Sequence, residues 1–321
     1  EHAMATAMPA GLAELAGKLW AARRDGGIVD PDQVTAPRTD ADAYAVQWEI
    51  ARLSGAAVKG FKVGSTSREA QRILGTTEPG SGPVLAPYLY DSPARIELEA
   101  EHLPSIEGEF AFRLAKDLPA KEAGYDEVDV REAIGAVAGA IEVVGSRLKG
   151  GLAGKGRLLV TADGGANIAL AVGPWREDWQ ALDLAGHKVS VSVNGEEKGS
   201  GTGAAALGHP ILVMVWLANQ QARMGRGLKS GDIVNVLDRS QQKVFVMGEI
   251  TRPGSVEIMN GTLSLAAAIG EAGGFKQNTA DSGNIYVIRG STDQQPAIFH
   301  LDARYASGLV LAEQFDMRAQ D

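Results

Sequence analysis

The stretch Ile106-Glu107-Gly108-Glu109-Phe110-Ala111-Phe112 constrains the fold more than any other part of this chain. Its alternation predicts a β-strand with Glu107 and Glu109 on one face and Phe110 and Phe112 on the other. Such a strand needs an apolar core on its aromatic side. On its other side, two neighbouring carboxylates repel each other unless something cationic lies between them. Hard cations such as Mg²⁺ or Mn²⁺ favour such an all-oxygen environment. A third acid interrupts the apolar run Ala140-Ile141-Glu142-Val143-Val144. Burying a carboxylate there without a partner would cost several kcal/mol, so Glu142 requires one. Spacing alone leaves the matter open. Glu-x-Glu also suits a solvated strand face, and Glu142 also suits a helix end or a salt bridge.

The chain has 321 residues, enough for two domains or for one large domain with an appendage. A formal net charge of -9, with Lys and Arg scattered, argues against a nucleic-acid groove. The absence of cysteine excludes disulfides, thiolate metal sites and Cys nucleophiles. No apolar run reaches the length of a membrane-spanning helix. Residues 1–7 are expected to hold an expression scar and the natural start, with no signal peptide.

Leu12, Leu15 and Leu19 predict a helix ended by Gly26-Gly27. A second helix is expected from near Asp40, with Val46, Ile50 and Leu53 on one face. Gly60 to Gly64 reads as a short strand or turn, Ser67 to Leu74 as a short helix, and the Pro- and Gly-rich stretch from Pro79 to Pro87 as a loop. Asn194-Gly195 between alternating valines signals a hairpin with a type I′ turn. Pro210 to Met224 is an apolar helix closed by Gly225, with His209 ordering its start. The mixture predicts an α+β fold with an antiparallel-rich β core and peripheral helices. Beyond Gly231-Asp232-Ile233-Val234 the character changes. A strand (Lys243 to Ile250), a Pro253-Gly254 turn, a helix (Leu263 to Ala272) and two further strands follow in a small β-grasp-like order.

Two resemblances give these residues roles. Gly60-Phe-Lys-Val-Gly-Ser-Thr66, the Ile-Glu-Gly-Glu-Phe-Ala stretch, Ala140-Ile-Glu-Val-Val-Gly-Ser-Arg147, Ala162-Asp-Gly-Gly-Ala-Asn167, and Leu207-Gly-His-Pro210 with Trp216-Leu-Ala-Asn219 occur in that order. Over residues 8–234 the chain resembles the 2-oxopent-4-enoate (2-hydroxypentadienoate) hydratase/decarboxylase branch of the fumarylacetoacetate-hydrolase superfamily. The resemblance implies metal ligands Glu107, Glu109 and Glu142 for Mg²⁺ or Mn²⁺. It implies Lys62 as acid/base, with its pKa lowered beside the cation, and Asp163 close by. It further implies a 2-oxo or 2-hydroxy dienoic acid as substrate, a cytoplasmic homo-oligomer, and hydration, with decarboxylation of a 2-oxo-enedioate as the alternative.

Residues 235–321 depart from that pattern. Lys243-Val-Phe-Val-Met-Gly-Glu-Ile250, Arg252-Pro-Gly-Ser-Val256, Asn284-Ile-Tyr-Val-Ile-Arg-Gly290 and Ile298-Phe-His-Leu-Asp302 resemble the soluble-ligand-binding β-grasp domain of Wza-like polysaccharide exporters. That implies a periplasmic, non-catalytic module as a rival reading. The expectation is a junction at Val234, a hydratase-like part lacking its usual closing strands, and an incomplete export-like segment.

Overall fold

The computed structural model describes residues 8–67, 71, 76–152, 155–237, 243–257, 263–289 and 297–317. Residues 1–7, and most of the helix expected over Ser67 to Leu74, lie outside them. The chain divides into one unit made of Glu1–Val189 with Gly201–Ser240 and another made of Ser190–Ser200 with Gln241–Asp321.

Two helices open the first unit. α1 (Ala10–Asp25) buries Leu12, Leu15, Ala16, Leu19 and Ala22 along one stripe and stops at Gly26 in the left-handed conformation. α2 (Asp40–Ser54) starts at a capping box: the Thr39 hydroxyl accepts from the Asp42 amide at 3.1 Å, and the Asp42 carboxylate accepts from the Thr39 amide at 3.0 Å. Its buried stripe is Ala43, Val46, Gln47 and Ala51; Ile50 is half-buried and Leu53, expected on that face, is exposed. The small residues set the contact because they let α2 lie close to α1.

The main sheet has seven strands, in spatial order β2 (Gly80–Leu85), β1 (Val58–Gly64), β9 (Ile233–Leu237), β4 (Ser105–Leu114), β5 (Ile134–Val144), β6 (Asn167–Val172) and β3 (Leu89–Asp91). The β1–β9 and β3–β6 pairs are parallel and the other four are antiparallel, so the expectation of an antiparallel-rich core holds. β2 falls within the stretch expected to be a loop. One face carries Phe61, Val63, Phe110, Phe112, Val234 and Val236 into the largest core, against Ile211, Met214, Leu217 and Ala218 of α5 (Pro210–Arg223). His209 caps α5, its Nδ1 accepting from the Ile211 amide at 3.1 Å. The opposite face carries Val84, Ala111, Ala138, Ala140, Leu170 and Val172 as a smaller apolar patch. Gly82 on β2 meets the Gly164 carbonyl, ahead of β6, so closely that no Cβ would fit. Shorter helices α3 (Glu127–Ala133) and α4 (Gly156–Ala162) complete the unit.

The expected junction lies inside β9, at the middle of the sheet. Residues 235 to 237 pair with β4, and Asn235 and Val236 also pair with β1. Val234, Asn235 and Val236 are fully buried. Gly60 has no room for a Cβ because the Ile233 carbonyl presses against it.

The hairpin of β7 (Lys188–Val193) and β8 (Glu196–Thr202) turns through Asn194 and Gly195, both at positive φ as a type I′ turn requires. From Gln241 on, β10 (Lys243–Val246) pairs with β11 (Gly254–Glu257), α6 (Leu265–Glu271) follows, and β12 (Ile285–Arg289) pairs with β13 (Ala297–Leu301). A last helix, α7 (Ala306–Gln314), was not anticipated. Val244, Leu263, Leu265, Ala268, Val287, Ala312 and Met317 form a separate core.

If residues past Val234 complete the first unit, a charge at 236 must be ruinous. Burying a carboxylate without a partner costs several kcal/mol, against a whole-domain stability of roughly 5–15 kcal/mol. Val236→Asp is therefore expected to lower the urea midpoint sharply or to unfold the first unit. An unchanged midpoint would mean that β9 does not close the sheet.

Candidate active site

The register of the sheet builds the site. β4 and β5 pair Glu107 opposite Glu142 and Glu109 opposite Ala140, so all three acids lie on the face opposite the main core. One carboxylate oxygen from each of Glu107, Glu109 and Glu142 lies within 4.8 Å of the others. Glu109 and Glu142 are buried and Glu107 is half-buried. Glu109 is held well above the usual carboxylate range, first by burial and then by the charges of Glu142 and Glu107.

Lys62 enters from β1, two strands away from β4, and is only 4% exposed. Its Nζ lies 3.4 Å from Glu142 Oε2 and donates to the Gly165 carbonyl at 2.8 Å. Glycines make its seat. A Cβ at Gly165, which sits at positive φ, would lie 3.1 Å from Lys62 Cδ, and one at Gly64 would lie 3.2 Å from Nζ. Burial pulls the Lys62 pKa down, but Glu142, Glu107 and Glu109 outweigh it and leave it raised. The expected lowering presupposed a neighbouring cation. Facing three acids alone, the side chain stays an ammonium.

Behind Glu142 is a layer of polar contacts. Asn167 Nδ2 donates to Glu142 Oε1 at 2.8 Å, while Asn167 Oδ1 accepts from Arg23 Nη2 at 3.2 Å. Arg23 also donates to the carbonyls of Asn167 (2.8 Å) and Ile168 (2.9 Å) and stacks on Tyr88. Burial, and then the charge of Arg147, pull the Arg23 pKa down to about 10. Arg147 donates through Nε to Asp163 Oδ1 (2.7 Å) and through its amide to Asp163 Oδ2 (3.0 Å). The same guanidinium also reaches the carbonyls of Asn167 and Asp163.

The structure therefore gathers Lys62, Glu107, Glu109 and Glu142, and sets Asp163 one layer back against Arg147. Asn167, Arg147, Arg23 and Asn235 were not foreseen. Asn167 and Arg147 stand inside two of the recognised motifs. Asn235, whose Nδ2 donates to Glu109 Oε2, interrupts the apolar run of β9 just as Glu142 interrupts that of β5. Arg23 gave no signal, since Arg23-Arg24 at a helix end looks like a solvated pair.

Among the described residues, Glu109 Oε1 is buried without a hydrogen-bond partner, and Glu142 Oε2 has only the Lys62 ammonium 3.4 Å away. A group of oxygen donors alone, carrying excess negative charge and orphaned lone pairs, fits a hard divalent cation.

Asp163 and Arg147 are each about 98% buried, their side chains only 2% exposed. Removing one member of such a pair costs roughly 3–5 kcal/mol, because the other charge is left uncompensated. Arg147→Met is thus expected to lose about that much in urea unfolding. A loss under about 1 kcal/mol, the range of an exposed pair, would contradict the buried geometry.

Two groups of known proteins are similar to this chain. The 2-keto-4-pentenoate hydratase of Burkholderia vietnamiensis is 31% identical over 228 residues, which cover 70% of this chain and 85% of that protein. The 4-oxalocrotonate decarboxylase of Pseudomonas putida G7, solved with magnesium and adipate, superposes with a TM-score of 0.58 at 26% identity, covering 71% of this chain and 89% of that one. Residues 242–321 match the SLBB domain family. The EPS I polysaccharide export outer membrane protein EpsA of Ralstonia solanacearum is 42% identical over 113 residues, 33% of this chain. This chain spans only 30% of that export protein's length. Matched at 31% identity over 85% of a curated hydratase, the chain belongs to the 2-keto-4-pentenoate hydratase family, and it carries an SLBB domain at residues 242–321.

Proposed function

We propose that this protein is a divalent-metal-dependent hydro-lyase that converts 2-hydroxypenta-2,4-dienoate, or a close 2-oxo-enoate, into a 4-hydroxy-2-oxo acid. The observation that carries this reading is the buried three-carboxylate cluster with Lys62 Nζ 3.4 Å from Glu142. In this reading Glu107, Glu109 and Glu142 hold Mg²⁺ or Mn²⁺. The bound ion supplies a positive centre for the substrate's carboxylate and 2-oxygen, and for the charge that develops there.

This chain's own groups do the rest. Lys62 Nζ, aimed by the Gly165 carbonyl, carries the proton along the conjugated chain before water adds at carbon 4. Ala111, Ala138, Ala140 and Leu170 share the face and offer an apolar seat for a short hydrocarbon chain. Asp163 acts at one remove. Through Arg147 it holds the segment leading into the Gly164–Ala166 turn, whose carbonyl positions Lys62.

The substrate is a small acid. The hydratase-like part, residues 8–234, works as a cytoplasmic homo-oligomer. Among the described residues no helix is long and apolar enough to cross a membrane. Decarboxylation of a 2-oxo-enedioate is a second reading, favoured by the likeness to the solved decarboxylase. A non-catalytic periplasmic export module, residues 235–321, is a third, favoured by the SLBB match.

Glu107→Ala and Glu142→Ala are expected to abolish Mn²⁺ binding in isothermal titration; wild-type affinity in both would remove the site. Lys62→Met should keep Mn²⁺ bound yet lose turnover by on the order of 10²–10⁴, the usual contribution of a positioned proton carrier. Loss of the dienoate's ultraviolet absorbance measures turnover, and carbon dioxide release separates decarboxylation from hydration. Full activity in Lys62→Met would reduce it to a buried structural cation.

A further inference from the structure

Asn235 is fully buried at the centre of the sheet, in register with Lys62 on β1 and Ala111 on β4. Its flanking residues Val234 and Val236 point to the opposite face, into the main core. Asn235 thus shares the site face with Lys62, Glu107, Glu109 and Glu142. Its Nδ2 donates to Glu109 Oε2, which fixes the side chain beside the carboxylate cluster. Its Oδ1 is buried and accepts from no donor among the described groups.

An orphaned buried acceptor costs about 1–3 kcal/mol, a penalty that a valine at this position would avoid while suiting the strand better. Lys62, across the β1–β9 pair, directs its Nζ to the Gly165 carbonyl and to Glu142. Arg23, through its two Nη atoms, and Arg147 donate to Asn167, Ile168 and Asp163. The protein therefore presents, on the site face, a buried carbonyl oxygen that no donor among the described residues satisfies. A neutral acceptor beside the carboxylate cluster suits a ligand that brings its own hydroxyl.

We infer that Asn235 is a ligand-binding residue of this site, its Oδ1 accepting a hydrogen bond from a substrate hydroxyl and so favouring 2-hydroxy over 2-oxo acids. The inference rests on the reading of the site given under Proposed function. It has a consequence for the chain's construction: a residue beyond Val234, past the hydratase resemblance, takes part in recognition. A 2-oxo group is an acceptor only and leaves Oδ1 unpaired, whereas a 2-hydroxyl supplies the missing proton. Sites built to bond a hydroxyl reject analogues that lack it for this reason.

The test compares the binding of 2-hydroxypentanoate and 2-oxopentanoate by titration calorimetry to the full-length, Mn²⁺-loaded protein. Asn235→Val and Asn235→Thr are nearly isosteric with each other and suit a strand; they differ by the hydroxyl that can accept. The wild type should prefer the hydroxy acid. Asn235→Val is expected to reduce the ratio of the two affinities about tenfold, and Asn235→Thr should keep the larger part of it. Equal ratios in the wild type and both variants would overturn the inference, since a purely structural role would weaken both ligands alike. If the wild type binds Mn²⁺ but neither acid, the functional reading itself fails, which is a distinct result.

Discussion

Three carboxylates whose oxygens lie within 4.8 Å of one another cannot all be ionised in a buried site without compensating charge. Much of the first unit is arranged around that constraint. Lys62 supplies one positive charge from β1. Asn167 supplies a neutral donor to the far oxygen of Glu142. Arg23 and Arg147 stand behind Asn167, fixing which way its amide faces, and Asp163 balances Arg147. Even so, burial and the neighbouring acids hold the Glu109 pKa well above the usual carboxylate range. Glu107, Glu109 and Glu142 would hold a divalent cation, whose charge would offset their mutual repulsion.

The sheet makes this tolerable because its two faces have been given different work. On one, aromatic and branched side chains pack against α5 and hold the strands in register. On the other, small residues at 111, 138 and 140 pack beside the carboxylate cluster. A register slip of one residue in β4 would exchange the faces, driving Glu107 and Glu109 into the core and Phe110 and Phe112 into the site. The aromatic core and the charged site are thus two consequences of one alternation.

The junction expected at Val234 falls inside a single strand, Ile233–Leu237. The hydratase resemblance is expected to end at Val234, yet the strand runs on to Leu237 and Val236 is buried in the main core. A central strand asks only for β-branched residues on the core side and backbone groups for both neighbours. The run Ile233-Val234-Asn235-Val236 meets that demand whatever follows it.

The sequence by itself determined the elements whose signals are local. These are α1 and its Gly26 stop, the His209 cap, the Asn194-Gly195 turn and the alternation of β4, each decided within a few neighbouring residues. The gathering of Lys62 with the three acids was legible only through ordered motifs, since residues 62, 107 and 142 meet by strand pairing and not by spacing. Local signals also failed in identifiable ways. Leu53 continued the apolar period of α2, but Ala43 and Ala51 set the contact. α7 hid because Leu309-Val310-Leu311 is an exposed apolar run, while its buried residues are Gly308 and Ala312. Only the tertiary structure decided that Asp163 serves Arg147, that Arg23 is buried behind the site, and that Asn235 joins it. Each depends on which strand lies beside which, a long-range choice made by packing the whole sheet and invisible to any window of sequence.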